Sequence, residues 1–208
     1  VKEIVFEDDT FTANRKRLEE FCDLMIEKNL KIKWTVNARV DLKYESMIKM
    51  KKAGCRLLVA GFESGSDQIL KNVNKGLTVK DNIEFMKNAR KAKLLVHGCF
   101  MVGNIGETKE TMQQTFRLAM KLRPDTAQFF PLMVYPGTRA YNWFKENDFI
   151  KTDDYSKWLT EDGLHNCVVS TDKVTDKELV DFCNEARKKY YLNFRYIMYK
   201  GIQSLKSI

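Results

Sequence analysis

Ala53-Gly54-Cys55-Arg56-Leu57-Leu58-Val59-Ala60-Gly61-Phe62-Glu63-Ser64-Gly65-Ser66 is the stretch that decides the fold. Its middle, Arg56–Phe62, is apolar almost without interruption, as a strand covered on both faces should be. Gly54 stops the helix-period segment before it, and the polar Glu63-Ser64 pair follows where the strand ends. Four other runs share the character: Glu3–Glu7, Lys33–Asn37, Leu94–Val102 and Thr126–Val134. Their starts recur every 23 to 38 residues, which leaves room for a strand, a crossover helix and two loops.

The segments between the runs carry apolar residues at three-to-four spacing. Leu18, Phe21, Cys22, Met25 and Ile26 mark the first helix; Val79, Ile83, Met86 and Ala89 mark the third. Met112, Phe116, Ala119 and Leu122 mark the fourth, and Leu42 to Ala53 gives a less cleanly patterned second. Thr12, Asp41, Thr78 and Thr108 stand where a helix cap is needed. Repeated βα units with right-handed crossovers give a parallel sheet, either doubly wound or an arc of a barrel. Five units are too few to close eight strands. The expected fold class is therefore α/β, a partial (incomplete) TIM-type βα barrel over residues 1–145 with a C-terminal helical extension over 146–208. After Tyr135-Pro136-Gly137-Thr138 a short helix at Arg139–Asn147 precedes a strand-like Asn166–Ser170. Thr175 and Glu178 then form a capping box with Val174 and Leu179 as its staple, opening one long helix to about Tyr199 that covers the sheet.

Composition narrows the class. Of 208 residues, 44% are apolar and 31% charged, the balance of an ordinary globular domain. No apolar run approaches the roughly eighteen residues of a membrane span. The net charge of +8 admits an RNA, phosphate or anionic-lipid partner, but the lysines are spread along every expected helix, which a solvated surface also explains. Val1 runs straight into a strand-like segment, so a truncated start is expected. Cys22, Cys55, Cys99, Cys167 and Cys183 include no C-x-x-C, and with only His97 and His165 beside them no zinc site is expected. Scattered and odd in number, they suit buried, reduced thiols of a cytoplasmic protein.

Parallel βα folds bind ligands at the C-terminal ends of their strands. That edge collects Glu7, Asp8 and Asp9, then Asn37, Arg39 and Asp41, then Glu63, Ser64 and Gly65. Gly103, Asn104, Gly106 and Glu107 follow the fourth run, and Pro131, Tyr135 and Pro136 the fifth.

F-E-D-D-T-F-T, R-V-D, A-G-C-R-L-L-V-A-G-F-E-S-G-S, F-M-V-G-N-I-G-E-T and P-L-M-V-Y-P-G-T-R-A-Y occur in that order at βα spacing. Together they resemble the later strands of the radical S-adenosylmethionine (SAM) superfamily, from Val1 to about Tyr141. The likeness is to the cobalamin-associated branch that includes anaerobic magnesium-protoporphyrin cyclases. The resemblance implies an enzyme in which a [4Fe-4S] cluster reductively cleaves SAM to a 5′-deoxyadenosyl radical that takes hydrogen from a small-molecule substrate. It implies an electron donor such as flavodoxin or ferredoxin, and cobalamin as a possible further cofactor. The family's C-x-x-x-C-x-x-C loop has no counterpart here and would lie upstream of Val1, so this chain alone is expected to be inactive.

By the same resemblance Asp8 or Asp9 offers acceptors to the SAM ammonium, or orders the loop into the next helix. Arg39 forks onto the SAM carboxylate, or pairs with Asp41 or Glu63. Asn37 ends the same strand. Glu63 and Ser64 reach the ribose hydroxyls or the methionyl group. Gly103 lets backbone approach the adenine, along which Phe130 lies, and Ile105 stands where the family usually has Pro. Tyr190, Tyr191, Phe194, Tyr196 and Tyr199, near Arg187, Lys188 and Lys189, are read as core rather than an RNA platform. Two other classes remain open: a tRNA-modifying methylthiotransferase-like or RNA-binding module, and a non-radical α/β-barrel binding protein.

Overall fold

The computed structural model describes residues 1–158 and 166–205. Five strands, β1 (Glu3–Phe6), β2 (Lys33–Ala38), β3 (Cys55–Glu63), β4 (Leu95–Val102) and β5 (Thr126–Pro131), form one sheet in the order of the chain. Every neighbouring pair is parallel. Sequential order with helical crossovers makes this an arc of a βα barrel, as expected, and not a doubly wound sheet, whose strand order would reverse. The crossovers are α1 (Arg15–Glu27), α2 (Tyr44–Lys52), α3 (Asp67–Asn72) with α4 (Val79–Lys91), and α5 (Lys109–Leu122).

Strand alternation separates two faces. Trp34, Val36, Leu58, Ala60, Phe62, Val96, Phe100, Ala127 and Phe129 are buried beneath the helices. A run of aromatic contacts holds this layer: Phe62 meets Phe85 and Phe100, and Phe100 stacks on Phe129 at 5.2 Å between centroids. The alternate residues, among them Val5, Asn37, Val59, Gly61, Glu63, Cys99 and Phe130, sit on the opposite, partly exposed face.

Four local expectations are corrected. Thr12 is not the cap of α1; Asn14 is, and the fully buried Thr12 hydroxyl accepts from the Arg39 N–H at 2.8 Å. Asp41 is drawn to Arg15 and Arg39, leaving α2 with Lys43 at its N-cap and no side-chain cap. The strand-like Asn166–Ser170 makes one isolated antiparallel bridge, Ile150 to Val169. The long C-terminal helix is two, α7 (Asp176–Tyr191) and α8 (Phe194–Leu205). Asn193 caps the restart by accepting from the Arg195 N–H at 3.0 Å. Between β5 and α7, α6 (Arg139–Glu146) follows its Thr138 cap.

Helix α7 buries Leu179, Cys183, Ala186 and Tyr190, a single stripe, against β5. The Tyr191 hydroxyl donates to the Ala127 carbonyl at 2.8 Å and accepts its N–H at 2.9 Å, which closes part of that strand's free edge. Tyr190 is core, as expected, whereas Phe194 and Tyr199 are exposed. Among the described residues no helix is long and apolar enough to cross a membrane.

Candidate functional site at the strand ends

The last residue of β3 shapes the site. Glu63 holds φ at 59°, the left-handed region that costs a residue with a Cβ roughly 1–2 kcal/mol. The turn aims its carboxylate back along the open face, where Lys75 Nζ meets Oε1 at 2.8 Å. Gly61 makes this possible: a Cβ there would sit 2.3 Å from Glu63 Oε1 and 3.1 Å from Lys75 Nζ. The ion pair occupies a cradle that any side chain at position 61 would fill. Lys75 lies in the loop between α3 and α4 and was not singled out in the sequence. Cys99 of β4 is close enough that the Glu63 charge adds to burial in raising its thiol to about 11.

Ser64 points away from this face. Its side chain is fully buried, shares a hydrogen bond of 3.1 Å with the Thr115 hydroxyl, and accepts the Ser66 N–H at 3.1 Å. The next residue, Gly65, presses on α5, where a Cβ would lie 2.2 Å from the Gln114 carbonyl oxygen. These contacts make Ser64 and Gly65 the anchor of the loop that carries Glu63.

The β4 end is built around a buried acid. Glu107, 3% exposed, accepts the Gly103 N–H at 3.1 Å and the Thr111 hydroxyl. Burial pushes its carboxyl above the usual range, while the bonds from Thr111, Gly103 and Asn104 oppose that shift. Gly103 and Gly106 take φ of 96° and 85°, so the loop doubles back over its own carboxylate. Helix α7 rests on it, with Leu179 beside Gly103 and Glu178 paired to Lys109 at 2.6 Å. A cavity of about 600 Å³ opens here between Met101, Asn104 and Leu132 on one side and Arg139 and Trp143 of α6 on the other.

At the ends of β1 and β2 the charges are mutually engaged. Asp8 pairs with Arg17 at 2.8 Å, and its carbonyl accepts from Asn37 Nδ2 at 3.1 Å. Asp9 is exposed. Arg39 forks onto both oxygens of Asp41, at 3.2 and 3.1 Å, so that pairing, and not Glu63, is its partner in this structure. Phe130 lies half-buried on the open face of β5.

The five cysteines are free, and burial raises each thiol, Cys99 and Cys167 to about 11 and Cys22 and Cys183 to about 12. Among the described residues no three His, Cys, Asp or Glu side chains gather to hold a metal, so they do not fit an iron–sulfur cluster. His165 lies outside the described residues.

The profile described as the radical SAM superfamily matches residues 1–119, more than half of the chain. The chain belongs to the radical SAM superfamily. It is 35% identical over 193 residues to an uncharacterized methyltransferase of Pyrococcus horikoshii, covering 92% of this chain and 41% of that one. It is 31% identical to the anaerobic magnesium-protoporphyrin IX monomethyl ester cyclase of Cereibacter sphaeroides, covering 90% and 31%. The chain thus spans less than half the length of these relatives. Its fold matches the radical SAM methyltransferase TsrM of Kitasatospora setae, solved with cobalamin and a [4Fe-4S] cluster, at TM-score 0.64 and 17% identity over 70% of this radical SAM chain and 30% of that one. Both the family and the suspected branch expected from the motifs are borne out.

Proposed function

We propose that this radical SAM chain holds the SAM of a radical enzyme on its open sheet face, with Glu63 and Lys75 receiving the two ends of the methionyl group. The observation that carries the reading is the Glu63–Lys75 pair in the Gly61 cradle. A zwitterionic amino acid presents an ammonium and a carboxylate, and an opposed carboxylate and ammonium can exchange partners with it at little net loss of charge pairing. When bound and reductively cleaved, SAM supplies the radical that starts chemistry on substrate. The residues of this chain bind and orient. Glu63 accepts from the ammonium, Lys75 donates to the carboxylate, and Asp8, Asp9, Asn37 and Arg39 line the adjoining strand ends. The loop from Gly103, fixed by Glu107, brings backbone toward the adenosine, with Phe130 on the neighbouring strand. Ser64 supports the site through Thr115 and is a positioning residue.

The cavity between the β4 loop and α6 is the proposed seat of a small-molecule substrate, because its apolar floor adjoins the same strand ends. An external one-electron donor, of flavodoxin or ferredoxin type, completes the reaction. We assign no described residue to the cluster or to cobalamin.

Equilibrium dialysis against radiolabelled SAM tests the reading. Saturable binding is expected, weakened about tenfold or more by Lys75→Met and by Glu63→Gln, and largely restored in Lys75→Arg. Binding that is absent, or indifferent to both substitutions, overturns it.

A further inference from the structure

The opposite edge of the sheet, where the strands begin, carries a cavity of about 800 Å³. It opens between the last turns of α4 and α5, the start of β4, and helix α8. Glu63 is level with Phe100 of β4, five residues beyond the cavity-lining Leu95, so this cavity lies roughly 17 Å along the strand from Glu63. The size is that of a small-ligand site, not of a groove tracking a polymer.

Its charge is one-sided. Arg90, Lys93, Arg123 and Arg195 line it, against a single acid, Asp125. Asp125 is already engaged: Oδ2 accepts the Val96 N–H at 2.9 Å and Oδ1 the Tyr199 hydroxyl at 2.8 Å. Arg90 donates to the carbonyls of Leu122 and Arg123, and so serves the end of α5. That leaves Lys93, Arg123 and Arg195, none of which has an ion-pair partner among the described residues.

The backbone at two of these positions is unusual. Lys93 and Arg123 follow α4 and α5 with φ of 59° and 45°. Glycine fits that conformation without strain and is the common residue at a helix stop. A basic side chain at both adjacent stops is strained relative to glycine, and the terminal carbonyls it would serve at α5 are already taken by Arg90. Beside the cations stand Tyr196, Met120 and Pro124, which give an aromatic and apolar wall.

We propose that this cavity is a second ligand site, for a nucleotide, with its phosphates against Lys93, Arg123 and Arg195 and its base against Tyr196. Guanidinium and ammonium groups with no ion-pair partner among the described residues suit phosphate oxygens, and a tyrosine face suits a flat ring. The site is separate from the strand-end site and would be independent of SAM.

Calorimetric titration with AMP, and separately with inorganic pyrophosphate, tests this. One equivalent of AMP is expected to bind, and saturating SAM should leave that affinity within about twofold. The double variant Lys93→Asn with Arg123→Asn keeps residues that tolerate the left-handed backbone. It should weaken AMP about tenfold or more while SAM binding holds. Amide shifts of Arg195 and Tyr196 on AMP addition give a readout that needs no variant. The proposal is overturned by absent AMP binding, by AMP binding indifferent to the double variant or abolished by SAM, or by an RNA oligomer that binds where AMP does not.

Discussion

Lys75 Nζ sits 2.8 Å from Glu63 Oε1 although Glu63 ends a strand in a left-handed turn and Lys75 comes from a loop twelve residues on. The pair lies over Gly61, where a Cβ would be 2.3 Å from the carboxylate. Gly61→Ala therefore displaces the flexible end of Glu63 while leaving the strand itself intact. We expect SAM affinity to fall about tenfold with a melting shift of only a few degrees, the amount that about 1 kcal/mol produces at this size. Dialysis and thermal melting of the same variant check both halves. A normal affinity would remove Glu63 from the site.

Gly65→Ala should behave in the opposite way. Its Cβ would fall 2.2 Å from the Gln114 carbonyl oxygen and 2.7 Å from the Thr115 nitrogen, both rigid backbone of α5. Helix and loop must separate, a misfit of about 1–3 kcal/mol or more, read in the denaturant midpoint. An unchanged midpoint would mean that the loop is free of α5.

Much of this frame was legible because each strand is a short apolar run and each crossover has a helical period. The structure trims the fifth run from Val134 to Pro131, since Leu132 and Val134 are apolar for burial beyond the sheet. Helix α3 escaped notice because six residues are too few to display a period. Asp67 was no signal either; it serves the next helix, accepting the Val79 N–H at 2.7 Å. Thr12 read as a cap because local sequence cannot reveal a partner supplied by another βα unit, and Asp41 because Arg15 of another unit joins the nearby Arg39 in holding its carboxylate. For the same reason Lys75 looked like one surface lysine among many, whereas Glu63 stood out by ending a buried strand. Ser64 was legible as a polar residue at the right edge, but strand alternation, broken by the turn at Glu63, sent its hydroxyl into the core.

Phe100 measures how far the sheet depends on its helix-covered layer. It is 1% exposed and contacts both Phe62 and Phe129. Phe100→Ala should cost about 3–5 kcal/mol, through lost burial and the cavity left behind. Phe100→Leu, which keeps most of the volume, should recover more than half of that in the same denaturation series.

Glu107 should give the fold a stability that declines with pH. Burial raises its folded carboxyl above the unfolded value, so the folded state holds the proton more tightly. The contribution is fully present below the unfolded carboxylate pKa, near 4.3, and is lost as pH rises through the raised folded value. Glu178 acts with the opposite sign: its salt bridge to Lys109 holds it at about 2, so its contribution is present above the unfolded value and fades in acid. The two are separable by substitution. Glu107→Gln can still accept the Gly103 N–H and, with Thr111 as acceptor, donate in return, so the loop is retained and the declining limb is removed. Glu178→Gln should flatten only the acid limb. Denaturation midpoints of the protein and both variants from about pH 2 to 8 test this, a window that runs from the lowered Glu178 value up past the usual carboxylate range where the Glu107 decline lies. A Glu107→Gln variant with the same decline as the parent would show that the buried acid is not its source.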